Sequence, residues 1–338
     1  MTRFVIIGAD AAGMSAAAEA RRTDRALEIV AFDRGDWASY SQCGLPYLVG
    51  GLVEAPERLV ARTVEQFATQ GIEVRLGHEV TAIDPARRMV RVRLVRGGSE
   101  VEEGYDRLLI ATGASPVRPR LPGLDLDGIF HLDVMEDAIA MQRYIRAARP
   151  ERAVIVGGGY IGLEMAENLV RLGLQVRLVQ RGEQLFHSVD ADMAAPLNDE
   201  LARHGVDLSL QDTLLRACAG VGGRVAEVQV NGGDVRAELV VLATGARPST
   251  GLAAAAGVKL GATGAIAVDD HLRTNLPDVY AAGDCAEHWQ PLLARPYWVP
   301  LGTTANKQGR VAGRNAAGGD ATFGGIVGTA ITRVFGIE

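Results

Sequence analysis

The sequence predicts an α/β fold in which one parallel-sheet unit is nested inside another, and two internal repeats carry that expectation. The first repeat reads strand, glycine turn, helix, strand. FVIIG (Phe4 to Gly8) is a short continuous apolar run, then comes GADAAG, Met14 to Ala20 has helical character, and EIVAFD ends on Asp33. The same order returns in AVIVGGGYIGLEMAENL (Ala153 to Leu169) followed by QVRLVQRG. The second repeat is ATGASP, beginning at Ala111, which recurs as ATGARP, beginning at Ala243; apolar runs lead into both (RLLIATG and LVVLATG). Self-similarity of this kind marks a duplicated structural unit.

Each copy has the chemistry of a Rossmann-like dinucleotide-binding turn. Gly8 permits a sharp turn and Gly13 lets the helix pack closely on the strand, while free N–H groups at the helix start attract a pyrophosphate. Asp33, twenty residues after Gly13, is placed to accept hydrogen bonds from the hydroxyls of an unphosphorylated ribose. One position departs from GxGxxG: Asp10 replaces the middle glycine, so its carboxylate is expected to point away from a phosphate. The second copy keeps all three glycines, Gly157, Gly159 and Gly162. At the end of QVRLVQ, where an NADH site commonly carries an acid, the chain has Gln180 and then Arg181. A neutral amide does not repel a 2′-phosphate and Arg181 is able to pair with one, so use of NADPH as well as NADH is consistent.

Composition restricts the remaining classes. A chain of 338 residues is long enough for about two domains, and 48% hydrophobic with 22% charged residues is ordinary for a globular α/β protein. The 41 glycines fall between apolar strands, which suits turns and not low complexity. A net charge of −6 argues against nucleic acid and anionic membranes as partners. No run reaches the roughly 18 apolar residues of a membrane helix. Arg3 before an apolar stretch resembles a leader, but Gly8, Asp10 and Glu19 interrupt it. Cys43, Cys218 and Cys285 show no C-x-x-C or metal-ligand spacing, and the six histidines are scattered; a reducing cytoplasm and no metal are expected.

The order of segments places the second nucleotide unit inside the first. Residues 1–117 and 248–320 are read as a discontinuous first domain and 118–247 as the inserted one. The run SPVRPRLPG, with Pro116, Pro119 and Pro122, marks the crossing. Within the first domain, EVRLGHEV (Glu73 to Val80) is expected in a βα stretch, and MVRVRLV with EVEEGYDRLLIAT as an antiparallel pair. Val279 to Ala282 is expected as a buried strand returning to the first domain and leading to Gly283 and Asp284. VPLGTTANKQGRVAGRNAAGG then reads as a loop and an amphipathic helix.

Cys43 stands ten residues after Asp33, in SYSQCGLPYLVGG. Taken with the two turns, ATG repeats and YAAGDCAE, this segment resembles the pyridine nucleotide-disulfide oxidoreductases over essentially the whole chain. The single cysteine is similar to the branch of coenzyme A-disulfide reductases, NADH oxidases, NADH peroxidases and persulfide reductases. That resemblance implies a glutathione reductase-like architecture of two nested Rossmann-like domains, with FAD in the first and NADH or NADPH in the second. For FAD it implies contacts from Gly8, Ala11, Gly13, Asp33, Arg34, Val80, Ala111, Thr112, Gly113, Asp284 and Leu301. For the nicotinamide nucleotide it implies Gly157, Gly159, Ile161, Gly162, Glu164, Gln180, Arg181 and Gly245. Tyr160 is implied to be the ring that covers the flavin until nicotinamide displaces it.

With one cysteine and no C-x4-C pair, electrons cannot be stored as an internal disulfide. Cys43 is therefore expected to cycle through a mixed disulfide or a sulfenic acid, its thiolate supported by a helix start near Gly44 to Tyr47. The related oxidases and peroxidases carry a histidine where this chain has Ala11, which favours the reductases. Ser15, Arg22, Ser39 and Gln42 fall at substrate positions of the coenzyme A enzymes, where Arg21 and Arg22 are suited to phosphates. Glu19 departs from a neutral side chain there and is expected to oppose those phosphates. The expected partner is a small disulfide or persulfide such as coenzyme A disulfide. The resemblance also implies a homodimer through a further interface domain, of which residues 321–338 are read as the start; its loss is expected to weaken dimerisation. Two other functions stay open: an NAD(P)H oxidase reducing oxygen, and a flavin-dependent electron-transfer or redox-sensing partner protein.

Overall fold

The computed structural model describes residues 1–337. Packing divides them into two units. Met1–Ser41, Val60–Ser115 and Arg247–Ala330 make the first; Gln42–Leu59, Pro116–Ala246 and the residues from Ile331 on make the second. Residues 42–59 thus group with the inserted unit, whereas the sequence reading keeps 1–117 together.

The first unit is built on five parallel strands, β1 (Arg3–Ile7), β2 (Glu28–Phe32), β3 (Ile72–Arg75), β4 (Arg107–Ile110) and β10 (Val279–Ala281), in the order β10-β4-β1-β2-β3. Phe4, Val5 and Ile6 are each fully buried because both faces of a parallel sheet are covered, which is why the strand reads as an unbroken apolar run. Ile7 pairs with Phe32 on one side and Ile110 on the other. β1 has β2 on one side and β4 on the other, so the strand order reverses beside it, and the C-terminal edge at such a point is where open α/β sheets bind ligands.

Helices α1 (Ala11–Thr23) and α6 (Gly302–Ala316) cross closely on one face of this sheet. The alanine stripe of α1 and two glycines of α6 allow it: a Cβ at Gly309 or Gly313 would fall onto the backbone of Ala12 or Ala16. The returning strand is β10, as expected from its apolar sequence.

Two local readings need correction. EVRLGHEV holds no helix: β3 ends at Arg75, the chain turns, and His78–Asp84 is a second strand. That strand pairs with Met89–Leu94, which pairs with Glu100–Gly104, so the expected antiparallel pair is a three-stranded sheet. EVEEGYDRLLIAT is split at Tyr105, whose N–H is taken by the Arg88 carbonyl while Asp106 N–H goes to Arg3; the next four residues, Arg107–Ile110, join the parallel sheet as β4.

The second unit repeats the plan. Its strands β5 (Ile129–Phe130), β6 (Arg152–Val156), β7 (Gln175–Gln180), β8 (Asp207–Leu210) and β9 (Leu239–Leu242) lie parallel in the order β8-β7-β6-β9-β5. Its helices include α2 (Leu45–Val49), α3 (Met135–Ala148), α4 (Tyr160–Arg171) and α5 (Ala191–Arg203). The apolar residues near the C-terminus find cover here: Val334 is fully buried and Phe335 stacks on His204 with ring centroids 4.0 Å apart.

Candidate active site

The repeated sequence motifs are repeated atom by atom. Gly8 N–H donates to Phe32 and Ala111 N–H to Ile7; Gly157 N–H donates to Val179 and Ala243 N–H to Val156. Gly8 and Gly157 have φ of 106° and 110°, and a Cβ on either would strike the carbonyl of Ala111 or Ala243. Glycine is required at both, and the ATG segments are what requires it.

In the first unit the predicted residues Gly8, Asp33, Ala111, Thr112, Gly113 and Asp284 all lie just past the C-terminal ends of β1, β2, β4 and β10. Asp33 accepts the Ala9 N–H at 2.8 Å through Oδ2 and the Gly35 N–H at 2.8 Å through Oδ1. Ala11 and Gly13 belong to the first turn of α1, and Leu301 is the residue before α6. Arg34 is exposed, while Val80 is only 9% exposed within a hydrophobic cluster, so its backbone alone is available to a ligand. An unmatched donor lies next to Gly283, the residue before Asp284. Gln308 is fully buried, its Oε1 accepts the Gly283 N–H at 2.8 Å, and its Nε2 has no partner.

Asp10 turns away from its own helix. It occupies the N-cap position of α1 with no side-chain capping bond, and its Oδ1 instead accepts the Tyr40 N–H at 3.0 Å. Burial pushes its carboxyl up to about 7, the charges of Asp33 and Asp284 adding to the push and the Tyr40 and Ala11 amides opposing it. The Tyr40 contact belongs to a tethered loop: Ser39 N–H bonds to Ala9 and Ala61 N–H to Ser39.

Beside that loop lies a pocket of about 300 Å³ lined by Ser15, Arg22, Ser39, Arg62, Asn306 and Arg310, with Met14 and Phe67 among its apolar walls. Three predicted residues are therefore brought together, Ser15, Arg22 and Ser39. Asn306, Arg310 and Arg62 were missed. Asn306 and Arg310, with Arg314 one turn on, recur every four residues and so share one face of α6; that spacing in ANKQGRVAGR was the available signal. Across the crossing, Ser15 Oγ donates to Asn306 Oδ1 at 2.7 Å. Glu19, expected to oppose anions, is 6% exposed and accepts from Arg22 through Oε2 at 2.5 and 3.0 Å and from Arg314 through Oε1 at 2.5 and 2.9 Å. Burial pushes the Glu19 carboxyl up, and the two guanidiniums more than offset it. The carboxylate is thus compensated, with Arg22 anchored at the pocket wall.

In the second unit, Gly157, Gln180, Arg181 and Gly245 lie at or past the C-terminal ends of β6, β7 and β9, with Gly159 and Gly162 at the start of α4. A Cβ at Gly162 would fall onto the Gly157 carbonyl, but one at Gly159 would meet only open space, the room a pyrophosphate needs. Gln180 is 8% exposed and turned inward: its Oε1 accepts the Gly158 N–H at 3.1 Å, and Nε2 donates to Gln184 O at 3.2 Å and His187 Nε2 at 2.8 Å. Arg181 is exposed. Tyr160 and Ile161 are 38% and 41% exposed at the start of α4, with the Tyr160 ring edge-on to Phe186 at 4.5 Å. Glu164 accepts from Thr332 Oγ1 at 3.1 Å; burial pushes its carboxyl up.

Cys43 is exposed, in the turn Gln42–Gly44 that opens α2. Gly44 and Tyr47 thus do flank a helix start, although the helix is one short turn. It is held from two sides, by the Gln142 side chain on Leu48 O at 2.8 Å and by Gly50 packed on Asn168. Gln42 Nε2 donates to Asp133 O at 3.3 Å. The Tyr47 phenol is pushed up by burial and by Glu164, Glu167 and Cys43. Cys285 is fully buried, its S–H directed at Ile110 O and Ala282 O.

Comparison with known proteins places this geometry. Residues 2–309 match the family model described as pyridine nucleotide-disulphide oxidoreductase. The chain is 41% identical to the NAD(P)H sulfur oxidoreductase (CoA-dependent) of Pyrococcus abyssi and 32% identical to a coenzyme A disulfide reductase of Staphylococcus aureus. Each match covers 99% of this chain, with 74% and 75% of the relative. Among solved structures, reduced CoADR-RHD of Bacillus anthracis aligns with a TM-score of 0.94 at 32% identity. The NAD-dependent persulfide reductase of A. fulgidus aligns at 0.94 and 36%. These matches cover 98% and 99% of this chain, which spans only 60% and 62% of those two chains. With two dinucleotide-type turns and a match to the family model over nearly its whole length, the chain belongs to the pyridine nucleotide-disulphide oxidoreductase family.

Proposed function

We propose that this protein is an FAD-dependent oxidoreductase that uses NADH or NADPH to reduce a small disulfide or persulfide, coenzyme A disulfide being the model substrate. The observation that carries the reading is the pocket of Arg22, Arg62 and Arg310 over an apolar floor. It matches a polyanion attached to an apolar arm, as in a thiol carried on a phosphorylated nucleotide. The CoA-dependent names of its relatives support the same class.

The residues available to hold the cofactors fit them. Gly8, Ala11, Gly13, Asp33 and Asp284 would hold FAD, with the unpaired Gln308 Nε2 as an additional donor; Gly157, Gly159, Gly162, Gln180 and Arg181 would hold the nicotinamide nucleotide. FAD, when bound, supplies a two-electron relay between nicotinamide and sulfur. The Cys43 thiolate attacks one sulfur of the substrate disulfide, the S–S bond breaks, one thiolate leaves, and a mixed disulfide forms on Cys43. Two electrons from NAD(P)H then cleave that bond, releasing the second thiolate and restoring Cys43. The sum is NAD(P)H, a proton and one disulfide giving NAD(P)+ and two thiols. Ala11, without an imidazole in the first turn, favours this sulfur chemistry over peroxide handling. Three cysteines outside any disulfide suit a reducing cytoplasm, and among the described residues no helix is long and apolar enough to cross a membrane.

Replacing Cys43 by Ser is the direct test. Bleaching of the flavin by NAD(P)H survives and reduction of coenzyme A disulfide disappears; a variant that reduces it at the wild-type rate overturns the thiol mechanism.

A further inference from the structure

Asp10 breaks the rule of the turn it sits in. In the second unit the equivalent residue, Gly159, faces open space; in the first, the position where such turns come nearest a pyrophosphate is held by Asp10, its carboxylate turned to the Tyr40 N–H. Its neighbours are acidic. The charged groups facing it are Asp33, at the end of β2, and Asp284, after β10; the Tyr40 and Ala11 amides are the donors that bear on it. Both oxygens of Asp33 are already occupied, by the Ala9 and Gly35 amides. Asp10 has neither a capping role nor a cation in that set. A pyrophosphate in the turn adds two negative charges beside this cluster, and the group able to relieve the conflict is the one whose proton is held most readily.

We infer that Asp10 takes up a proton when a dinucleotide pyrophosphate enters the first turn, so that binding of FAD is linked to pH through this one side chain. The inference rests on the assignment of FAD to the first unit. Protonated, Asp10 no longer repels the phosphate and keeps a carbonyl oxygen for the Tyr40 N–H. The free carboxyl titrates near neutrality, where burial and two like charges have pushed it to about 7. Below that pH the proton is already present and affinity is level. Above it each binding event must draw a proton from solution, and the dissociation constant rises toward tenfold per pH unit.

The test is the binding of FAD to protein stripped of flavin, followed by flavin fluorescence between pH 5.5 and 9, with calorimetry at pH 8 in two buffers of different ionisation enthalpy. Wild type is expected to show a level dissociation constant below pH 6.5, a rise of several-fold to about tenfold between pH 7.5 and 8.5, and uptake of close to one proton at pH 8. Asp10→Asn, which keeps the acceptor for Tyr40, and Asp10→Gly, which restores the common residue of such turns, are expected to lose both the rise and the uptake. Flavin binding with identical pH profiles in wild type and both variants overturns the inference alone. Absence of flavin binding at every pH overturns it together with the FAD assignment.

Discussion

Gln180 holds the Gly158 amide in the second unit as Asp33 holds the Ala9 amide in the first, at 3.1 and 2.8 Å. The two side chains occupy the same place in the two copies and differ by one charge. Gln180→Glu would put a carboxylate at the position where an acid discriminates against a 2′-phosphate. The ratio of kcat/KM for NADH to that for NADPH is expected to rise about tenfold, roughly 1.4 kcal/mol, in steady-state assays with both donors.

The pocket arginines act on binding and not on chemistry. Arg62→Ala and Arg310→Ala should each raise KM for coenzyme A disulfide by about tenfold with kcat nearly unchanged. The wild-type KM should also grow with added salt more steeply than that of either variant. An unaltered KM in both would remove the pocket from substrate recognition.

Glu19 pairs with Arg22 on its own helix and with Arg314 on α6, the second pair joining the two helices. Its carboxyl is held below the usual range, so its contribution to stability is full above the unfolded pKa and fades as pH falls through the lower folded value. Glu19→Gln is expected to cost about 1 kcal/mol at pH 7, the partly exposed arginines limiting the effect. Thermal melts of variant and wild type should converge as pH falls from the unfolded carboxyl value through the lower folded one.

Two glycines of one turn should separate fold from ligand. Gly162→Ala drives a methyl onto the Gly157 carbonyl and is expected to destabilise the second unit by about 2 kcal/mol or more, read in denaturant melts. Gly159→Ala meets no protein atom, so stability stays within about 0.5 kcal/mol while the KM for NAD(P)H rises.

Much of this architecture was legible because its signatures occur in pairs. Two glycine turns and two ATG segments fixed both sheets, and their shared hydrogen bonds arise from the same short sequences. What escaped reading depended on partners far away in the chain. Glu19 looks repulsive in the sequence, yet Arg22 takes one of its oxygens and Arg314, which only α6 supplies, takes the other. Gln180 reads in the sequence only as a neutral amide, and its bonds to Gly158 and His187 come from the turn and loop that fold around it. Arg62 carries no local motif and Arg310 only a four-residue spacing along α6, and their place emerges from the pocket that Ser15 and Ser39 share with them.

The crossing of α1 and α6 also sets a timetable. Ser15 and Asn306, bonded to each other, are 291 positions apart. During synthesis at about 5–20 residues per second, the first helix must wait roughly 15 to 60 s before its companion leaves the ribosome. Throughout that interval an alanine-lined stripe is uncovered, and the arginine-rich cleft does not yet exist. Nascent chains of this protein should therefore engage chaperones early, and an mRNA that stalls shortly before codon 302 should yield an N-terminal stretch prone to aggregation and unable to gather its substrate.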